Sequence, residues 1–348
     1  MKYLLSERVP EFDAHQVVSS IHDKQSGLRG FIAIHRFGKK KIAFGATRFV
    51  SYDSVCDAME DAIRLSRLMT YKSVLAGLPY GGAKGVIIKT KGKKYHRPSL
   101  FRAYADAVNM FGGHFITGMD AGVDERDLSV MAKESPYIVG LKGDASDFTA
   151  QGVFASMHVC LQETFGSKSF AERSIAIQGI GKIGSQLLAR VYPVAKDVFV
   201  ADIDRDRIRM ISRKFPHVKI VHPRDIHRQK VDIFSPCALS NPINKKTITE
   251  IKAKIVAGAA NNQLEDEKLG ILLYRLNILY APDYVINAGG LISVVDEYDY
   301  KTHRRLRVER KVTGIASTLR KIFEISKKQN RAPSVVANEM AKRMINES

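Results

Sequence analysis

The chain has 348 residues, 45% hydrophobic and 26% charged, which is long enough for two domains and ordinary for a globular protein. Its formal net charge is +19, which raises nucleic acid as a partner. No run of about 18 apolar residues marks a membrane helix. The N-terminal MKYLLSERVPEF is too short in its apolar core for a secretory leader, and Cys56, Cys160 and Cys237 suit a reducing cytoplasm better than a disulfide framework.

In chain order, GLRGFIAIHRF and KKIAFGATRFV alternate polar and apolar residues and are predicted strands joined by a turn. SYDSVCDAMEDAIRLSRLMTYKSVLAGL is a predicted long helix, capped by Ser51 or Asp53 and ended by Gly77. Val55, Met59, Ala62, Ile63 and Ser66 would form its inner face, with Lys72 in its last turns. A strand is predicted over Gly85–Thr90, placing Lys84 at the helix-to-strand turn before it. A helix from Ser99 to about Met110 follows, and HFITGMDAG puts Asp120 just after a short strand.

Near Gly140 the pattern changes to alternating strands and helices: SIAIQGIG, KIGSQLLARVY, DVFVAD, RDRIRMISRKF, VDIFSPCA and KIVAGAA. Such alternation predicts a parallel doubly wound sheet. From Tyr300 onward the chain is predicted to be largely helical. The basic residues gather at 39–41, 89–97 and 301–312. With no tryptophan, no aromatic RNA-binding signature and no zinc-ligand spacing beside them, they are read as solvated surface, so neither nucleic acid nor membrane is an expected partner.

Gly179, Gly181 and Gly184 form GxGxxG between a predicted strand and a predicted helix. The pattern is weak alone, but here the context is that of a dinucleotide site. The first glycine permits the turn, the second admits a pyrophosphate at the helix N-terminus, and the third lets helix pack on strand. Asp202, 23 residues past Gly179, ends the next strand, at the position of a ribose-hydroxyl acceptor. A carboxylate there favours NAD over NADP, although Arg205 and Arg207 leave some NADP tolerance open.

Lys84 stands among glycines in GLPYGGAKGV, which suits close approach of backbone to a ligand or a partner strand. A lysine buried near a second ammonium, here that of Lys72, loses basicity and can move protons near neutral pH. A neighbouring lysine could instead hold a substrate carboxylate, and Asp120 could exchange a proton or orient the base.

These residues resemble the Glu/Leu/Phe/Val dehydrogenase superfamily, most nearly its leucine, phenylalanine and tryptophan dehydrogenase branch. The resemblance covers nearly the whole chain and rests on IAIHRF, FGATRF, LMTYKSVLAGLPYGGAKGVII, FITGMDAG, IAIQGIGKIG, SPCALS, IVAGAANNQLE and YAPDYVINAGGLISV. It implies an N-terminal α/β substrate and oligomerisation domain over 1–139 and a Rossmann doubly wound NAD-binding domain over 140–325. A C-terminal helix over 326–348 would return to the first domain. The implied reaction is NAD-dependent oxidative deamination of an L-amino acid to its 2-oxo acid and ammonia, reversibly, by a cytoplasmic homo-oligomer whose domains close to exclude water. By the same resemblance, Lys72 binds the substrate carboxylate, Lys84 is the general base and Asp120 works with it. Asn261 and Asn262 lie near nicotinamide and substrate, Asn287 lines the same cleft, and Thr149 belongs to the cofactor site.

The side-chain pocket implied is Phe44, Gly45, Ala46, Met69, Gly118, Leu291 and Val294. It is apolar and offers no cation to a second carboxylate, which disfavours glutamate. Leucine, isoleucine or valine is expected, with phenylalanine or tryptophan the alternative and a catalytically silent nucleotide-binding scaffold the reading of another class. The sequence departs from the family in ITGMDAGV, where Met119 adjoins Asp120. It departs again in GDASDFTAQG, where Ala145 and Asp147 replace prolines. A looser connection, and an added anion near the cofactor phosphates, are expected from the latter.

Overall fold

A computed structural model of the protein describes residues 9, 11–238, 241–302 and 304–347. The chain divides into two compact units: Met1–Gly143 with Val294–His303 and Met344–Ser348, and Asp144–Ser293 with Arg304–Arg343.

In the first unit the strands are β1 (Val17–Asp23), β2 (Leu28–Arg36), β3 (Ala43–Phe44), β4 (Thr47–Val50), β5 (Gly81–Ile88) and β6 (Phe115–Ile116). The sheet runs β1-β2-β5-β3-β6, with β4 also paired to β5. The first three are antiparallel neighbours, whereas β3 and β4 run parallel to β5. Helices α1 (Val55–Leu75), α2 (Arg97–Asn109) and α3 (Glu125–Glu134) cover it. Ile32, Ile34, Phe101, Tyr104, Phe115 and Leu128 belong to one buried apolar cluster.

Two local expectations are corrected here. The cap of α1 is Ser54, not Ser51 or Asp53: its hydroxyl accepts from the Asp57 amide while Asp57 accepts from the Ser54 amide. Val55 is consequently first-turn surface, 47% exposed, and Ala58 takes its place on the inner face. Second, β5 begins at Gly81, so Lys84 lies inside the strand, opposite Ala33 of β2, rather than at a turn. The glycines serve packing. A Cβ on Gly82 would lie 2.0 Å from the Thr70 amide of α1, and one on Gly85 would lie 1.9 Å from the Tyr104 hydroxyl. The strand β1 and the helix α3 had no distinct sequence expectation.

The second unit opens with α4 (Ala145–Phe165), then β7 (Ser174–Gln178), α5 (Lys182–Val191), β8 (Asp197–Ala201), α6 (Arg205–Lys214), β9 (Lys219–Ile220), β10 (Ile233–Pro236) and β11 (Ile255–Val256). It continues with α7 (Lys268–Arg275), β12 (Leu279–Tyr280), α8 (Asp283–Ile286), α9 (Gly289–Tyr300), which passes into the first unit at Val294, α10 (Arg305–Gln329) and α11 (Pro333–Asn346), which passes into it at Met344. The strand order β12-β11-β10-β7-β8-β9, with every pairing parallel, is doubly wound. The chain leaves β7 for β8 on one side and later returns to place β10 on the other. The turn after β7 is therefore a topological switch point, where open α/β sheets bind ligands. Leu239 and Ser240 of SPCALS lie outside the described residues, as do residues 1–8 of the N-terminal segment.

The expected C-terminal helix over 326–348 is divided between the two units. Residues 304–343 group with the second unit, and only 344–348 with the first. Within the second unit, Ser334 sits over Gly270 of α7, and Asn338 bonds both the Tyr284 hydroxyl and Glu267. Among the described residues no helix is long and apolar enough to cross a membrane.

Candidate active site and dinucleotide site

Lys84 is buried, 3% exposed, and its ammonium donates to Asp120 Oδ2. Asp120 is fixed from the backbone as well, since its amide donates to the Thr47 carbonyl at 3.0 Å. The same Oδ2 accepts from Arg48 Nε at 3.0 Å. Arg48 then reaches Asp61 Oδ2 through Nη1 at 2.8 Å, and Asp61 also accepts from the Tyr52 hydroxyl at 2.7 Å and from Arg64 at 3.1 Å. Beneath Gly85, the hydroxyls of Thr47, Thr117 and Tyr104 form a buried group, at 2.8 Å between the threonines and 2.9 Å from Thr47 to Tyr104.

Burial lowers the pKa of Lys84, Asp120 opposes that and Arg48 adds to it; the net direction is below an ordinary lysine. Burial alone would raise Asp120, but Lys84 and Arg48 outweigh it and hold the carboxyl well below the usual range. Asp120 is thus an anion throughout the neutral range, and the titrating member of the pair is Lys84. The cation that depresses Lys84 is Arg48, an arginine in an alternating strand that carried no sequence signal.

Lys72 is buried in the last turn of α1. The close contact of Gly82 with Met69 and Thr70 sets that turn against β5. Half-buried Met69 shares it, and a Cβ on Gly45 would lie 2.4 Å from the Ala83 carbonyl, beside Lys84. Gly118 precedes Asp120 by two residues and accepts from the Thr47 amide at 2.8 Å. Phe44 is fully buried, its ring centroid 4.7 Å from that of Tyr80 and 5.3 Å from that of Tyr298, so in this structure it packs the core. Val294 belongs to the first unit, near Gly140, whereas Leu291 belongs to the second, as do Asn261, Asn262, Asn287 and Thr149.

In the second unit Gly179 has φ +93°, which a side chain would resist, and its amide donates to Ala201 of β8. Gly184 of α5 packs onto the Gly179 carbonyl. Gly181 caps α5 without a side-chain acceptor, and among the described residues a Cβ there would meet only Arg207, at 3.7 Å. An open backbone face at a helix N-terminus can receive a pyrophosphate. Asp202 accepts from the Ile180 amide at 2.7 Å and from the Asp204 amide at 2.9 Å, so it also braces the glycine turn. Beside it opens a cleft of about 750 Å³ whose lining includes Ile203, Ile208, Pro223, Arg205 and Arg224.

Asn287 donates to Asn261 Oδ1 at 3.0 Å, while the buried Oδ1 atoms of Asn262 and Asn287 have no hydrogen-bond partner among the described residues. Asn262 sits at φ +55°. Such acceptors fit a ligand that brings N–H donors. Thr149 donates to the Ala145 carbonyl within α4 and lies against Gly290.

Asp147 overturns the expectation drawn from it. It stands in the first turn of α4 and accepts from Arg190 of α5 and, at 2.8 Å, from Arg305 of α10. The replaced prolines have become a helical turn tied to two other helices, and the added anion is neutralised rather than left facing a phosphate.

Comparison with known proteins agrees with this geometry. Residues 13–137 match the family model "Glu/Leu/Phe/Val dehydrogenase, dimerisation domain" and residues 196–344 match "Glutamate/Leucine/Phenylalanine/Valine dehydrogenase". Leucine dehydrogenase of Bacillus cereus is 37% identical over 97% of this chain and 93% of its own length. Phenylalanine dehydrogenase of Caldalkalibacillus thermarum is 37% identical over 94% of this chain and 90% of its own. The crystal structure of L-tryptophan dehydrogenase from Nostoc punctiforme aligns with TM-score 0.80 at 37% identity, covering 99% of both chains. The chain belongs to the Glu/Leu/Phe/Val dehydrogenase family. It is an oxidoreductase acting on amino acids.

Proposed function

We propose that the protein catalyses NAD-dependent oxidative deamination of a branched-chain L-amino acid (leucine, isoleucine or valine) to its 2-oxo acid and ammonia, reversibly. The observation that carries this reading is the buried contact of Lys84 with an Asp120 held as an anion. The Lys72 ammonium grips the substrate α-carboxylate. The nicotinamide, when bound, accepts the α-hydrogen with its electron pair. Neutral Lys84 then takes a proton from the water that attacks the substrate iminium and returns it as the carbinolamine collapses to ammonia and ketone; Asp120 balances the charge that this leaves on the lysine. Gly181 at the start of α5 receives the pyrophosphate, Gly179 makes the turn and Gly184 the close packing that present it, and Asp202 takes the adenine ribose, with exposed Ile203 offering an apolar face to the base. Thr149, Asn261 and Asn287 position the nicotinamide end and Asn262 the substrate; the unpartnered Asn262 and Asn287 oxygens support this assignment.

The branched-chain preference rests on the pocket's apolar composition. Gly45, Ala46, Met69, Gly118 and Val294, all of the first unit, supply no cation to a substrate side chain, so a second carboxylate would be buried unpaired. Apolar pockets discriminate by only about 1–3 kcal/mol per methylene, so several of these substrates should turn over.

The test is reduced-cofactor formation with a panel of L-amino acids, with Lys84→Ala alongside. Turnover on leucine, isoleucine or valine is expected, and the variant should lose about 10²–10⁴-fold in kcat while binding NAD with unchanged Kd. Near-normal turnover in Lys84→Ala would sink the assigned role. Turnover confined to phenylalanine or tryptophan would replace the branched-chain reading with the aromatic one.

A further inference from the structure

Asp120 shares its proton-accepting oxygen between two cations, and only one of them has a part in the chemistry proposed above. Arg48 is the other. Its side chain is 12% exposed and spans two aspartates, Nε on Asp120 and Nη1 on Asp61. Asp61 is anchored in turn by Tyr52, which donates to the same Oδ2, and by Arg64, which donates to Oδ1. The guanidinium is planar, so with Asp61 fixed the direction of Nε is fixed too. Arg48 is carried on β4, which pairs in parallel register with β5, whereas Asp61 and Arg64 belong to α1 on the same unit. The chain Tyr52–Asp61–Arg48–Asp120–Lys84 is thus continuous across β4, α1, β5 and the loop after β6.

We infer that Arg48 is a positioning residue for the proton transfer, locking Asp120 as an anion in one orientation so that the mobile proton resides on Lys84. The inference rests on the reading of Lys84 as the base. Without a second cation, a carboxylate and an amine in direct contact could share one proton, and Asp120 could turn away from the ammonium. With Arg48 bound, protonating Asp120 costs the Arg48 interaction, and Asp120 Oδ2 cannot rotate without leaving a buried guanidinium nitrogen unpaired. Both the electrostatic and the orientational effect place the basic electron pair on the lysine.

Among the described residues, the charged and titratable groups joined to Lys84 by these contacts are Asp120 from the loop after β6, Arg48 and Tyr52 from β4 and its exit, and Asp61 and Arg64 from α1; Tyr104 of α2 lies against Gly85, and Lys72 is buried in the last turn of α1. Of these, Asp120 and Asp61 raise the lysine and Arg48 lowers it. Removing Arg48 therefore moves Lys84 upward.

The experiment is the pH profile of kcat/KM for oxidative deamination in wild type, Arg48→Met, Arg48→Lys and Asp61→Asn, with NAD affinity and urea midpoint measured for each. In Arg48→Met, kcat is expected to fall about 10²-fold, and the acidic limb to move up by about one pH unit. Arg48→Lys keeps the charge and loses the fork, so its kcat should fall while its limb stays near wild type. Asp61→Asn removes an anion that raises the lysine, so its limb should move downward, opposite to Arg48→Met, and the kcat it loses by freeing the guanidinium should add little in combination with Arg48→Lys. A folded Arg48→Met with an unmoved limb would overturn the inference. If that variant does not fold, wild-type kcat in Arg48→Lys would overturn it, and a reduced kcat with the limb in place would support it. A purely structural role would change the urea midpoint and leave the limb where it was. Failure of the underlying reading is seen separately, as turnover in Lys84→Ala.

Discussion

At the scale of single residues, the two acidic side chains of interest do different work. Asp120 holds a buried lysine, and its carboxyl is kept ionised by two cations. Asp202 faces a glycine turn, and both of its oxygens already receive backbone amides. Its proposed contact with a ribose is therefore made by a carboxylate that also shapes the turn, and Asp202→Ala would disturb both. Asp202→Asn removes the charge while keeping the shape and one of the two amide acceptors. The NADP-to-NAD ratio of kcat/KM is expected to rise roughly tenfold, because a charged hydrogen bond to the ribose is lost and the repulsion of a 2′-phosphate with it. An unchanged ratio would make Asp202 a brace for the turn alone.

At the scale of elements, the first unit depends on β5 lying directly under α1. Gly82→Ala would drive a methyl into the backbone of Met69 and Thr70, neither of which can move without the helix. A loss of about 1–3 kcal/mol is expected from overpacking, read as a lower urea midpoint, with activity falling as the Lys72 turn shifts. The same helix carries a pH-sensitive contact. His15 bonds the Ile63 carbonyl at 2.9 Å and stands edge-on to His35, which bonds Thr70 at 2.9 Å. Burial is the main cause that lowers His15 to about 4 and His35 to about 3. Below about pH 6.5 the unfolded chain protonates these rings before the folded one does. Their cost is absent above that value and grows by about 1.4 kcal/mol per pH unit for each ring as pH falls toward the folded values. Urea midpoints between pH 7 and pH 5 should show this decline, and His15→Gln should flatten it; a slope unaffected by the substitution would assign the acid sensitivity to the carboxylates instead.

At the scale of the whole molecule, the net charge of +19 is spread over a chain whose proposed base, Lys84, is paired with Asp120. Charge therefore says little about the reaction. We propose that the protein is a homo-oligomer, a reading supported by the family model matched over residues 13–137, which is named for dimerisation. Light scattering is expected to give a mass of at least twice 38.8 kDa at every salt concentration tried. A monomer that retains full turnover would remove assembly from the requirements of the site.

Much of this protein is legible in its amino-acid sequence. GxGxxG with Asp202 lies in one stretch of strand, turn and helix, and chain connectivity alone sets its spacing. The alternation past Gly140 is likewise local, and it announces a parallel doubly wound sheet. The glycines around Lys84 announce close approach, but not of what. Only the tertiary structure shows that α1 and Tyr104 fill that space and that Lys84 sits inside a strand. It alone brings Arg48, Asp61 and Tyr52 to Asp120, because long-range pairing of charges leaves no periodicity in the chain. It also turns Asp147 from an unpaired anion into a clamp on Arg190 and Arg305, residues 43 and 158 positions away. Local geometry is written in neighbouring residues, whereas the partners of a buried charge are chosen by packing, and packing is decided by the whole fold.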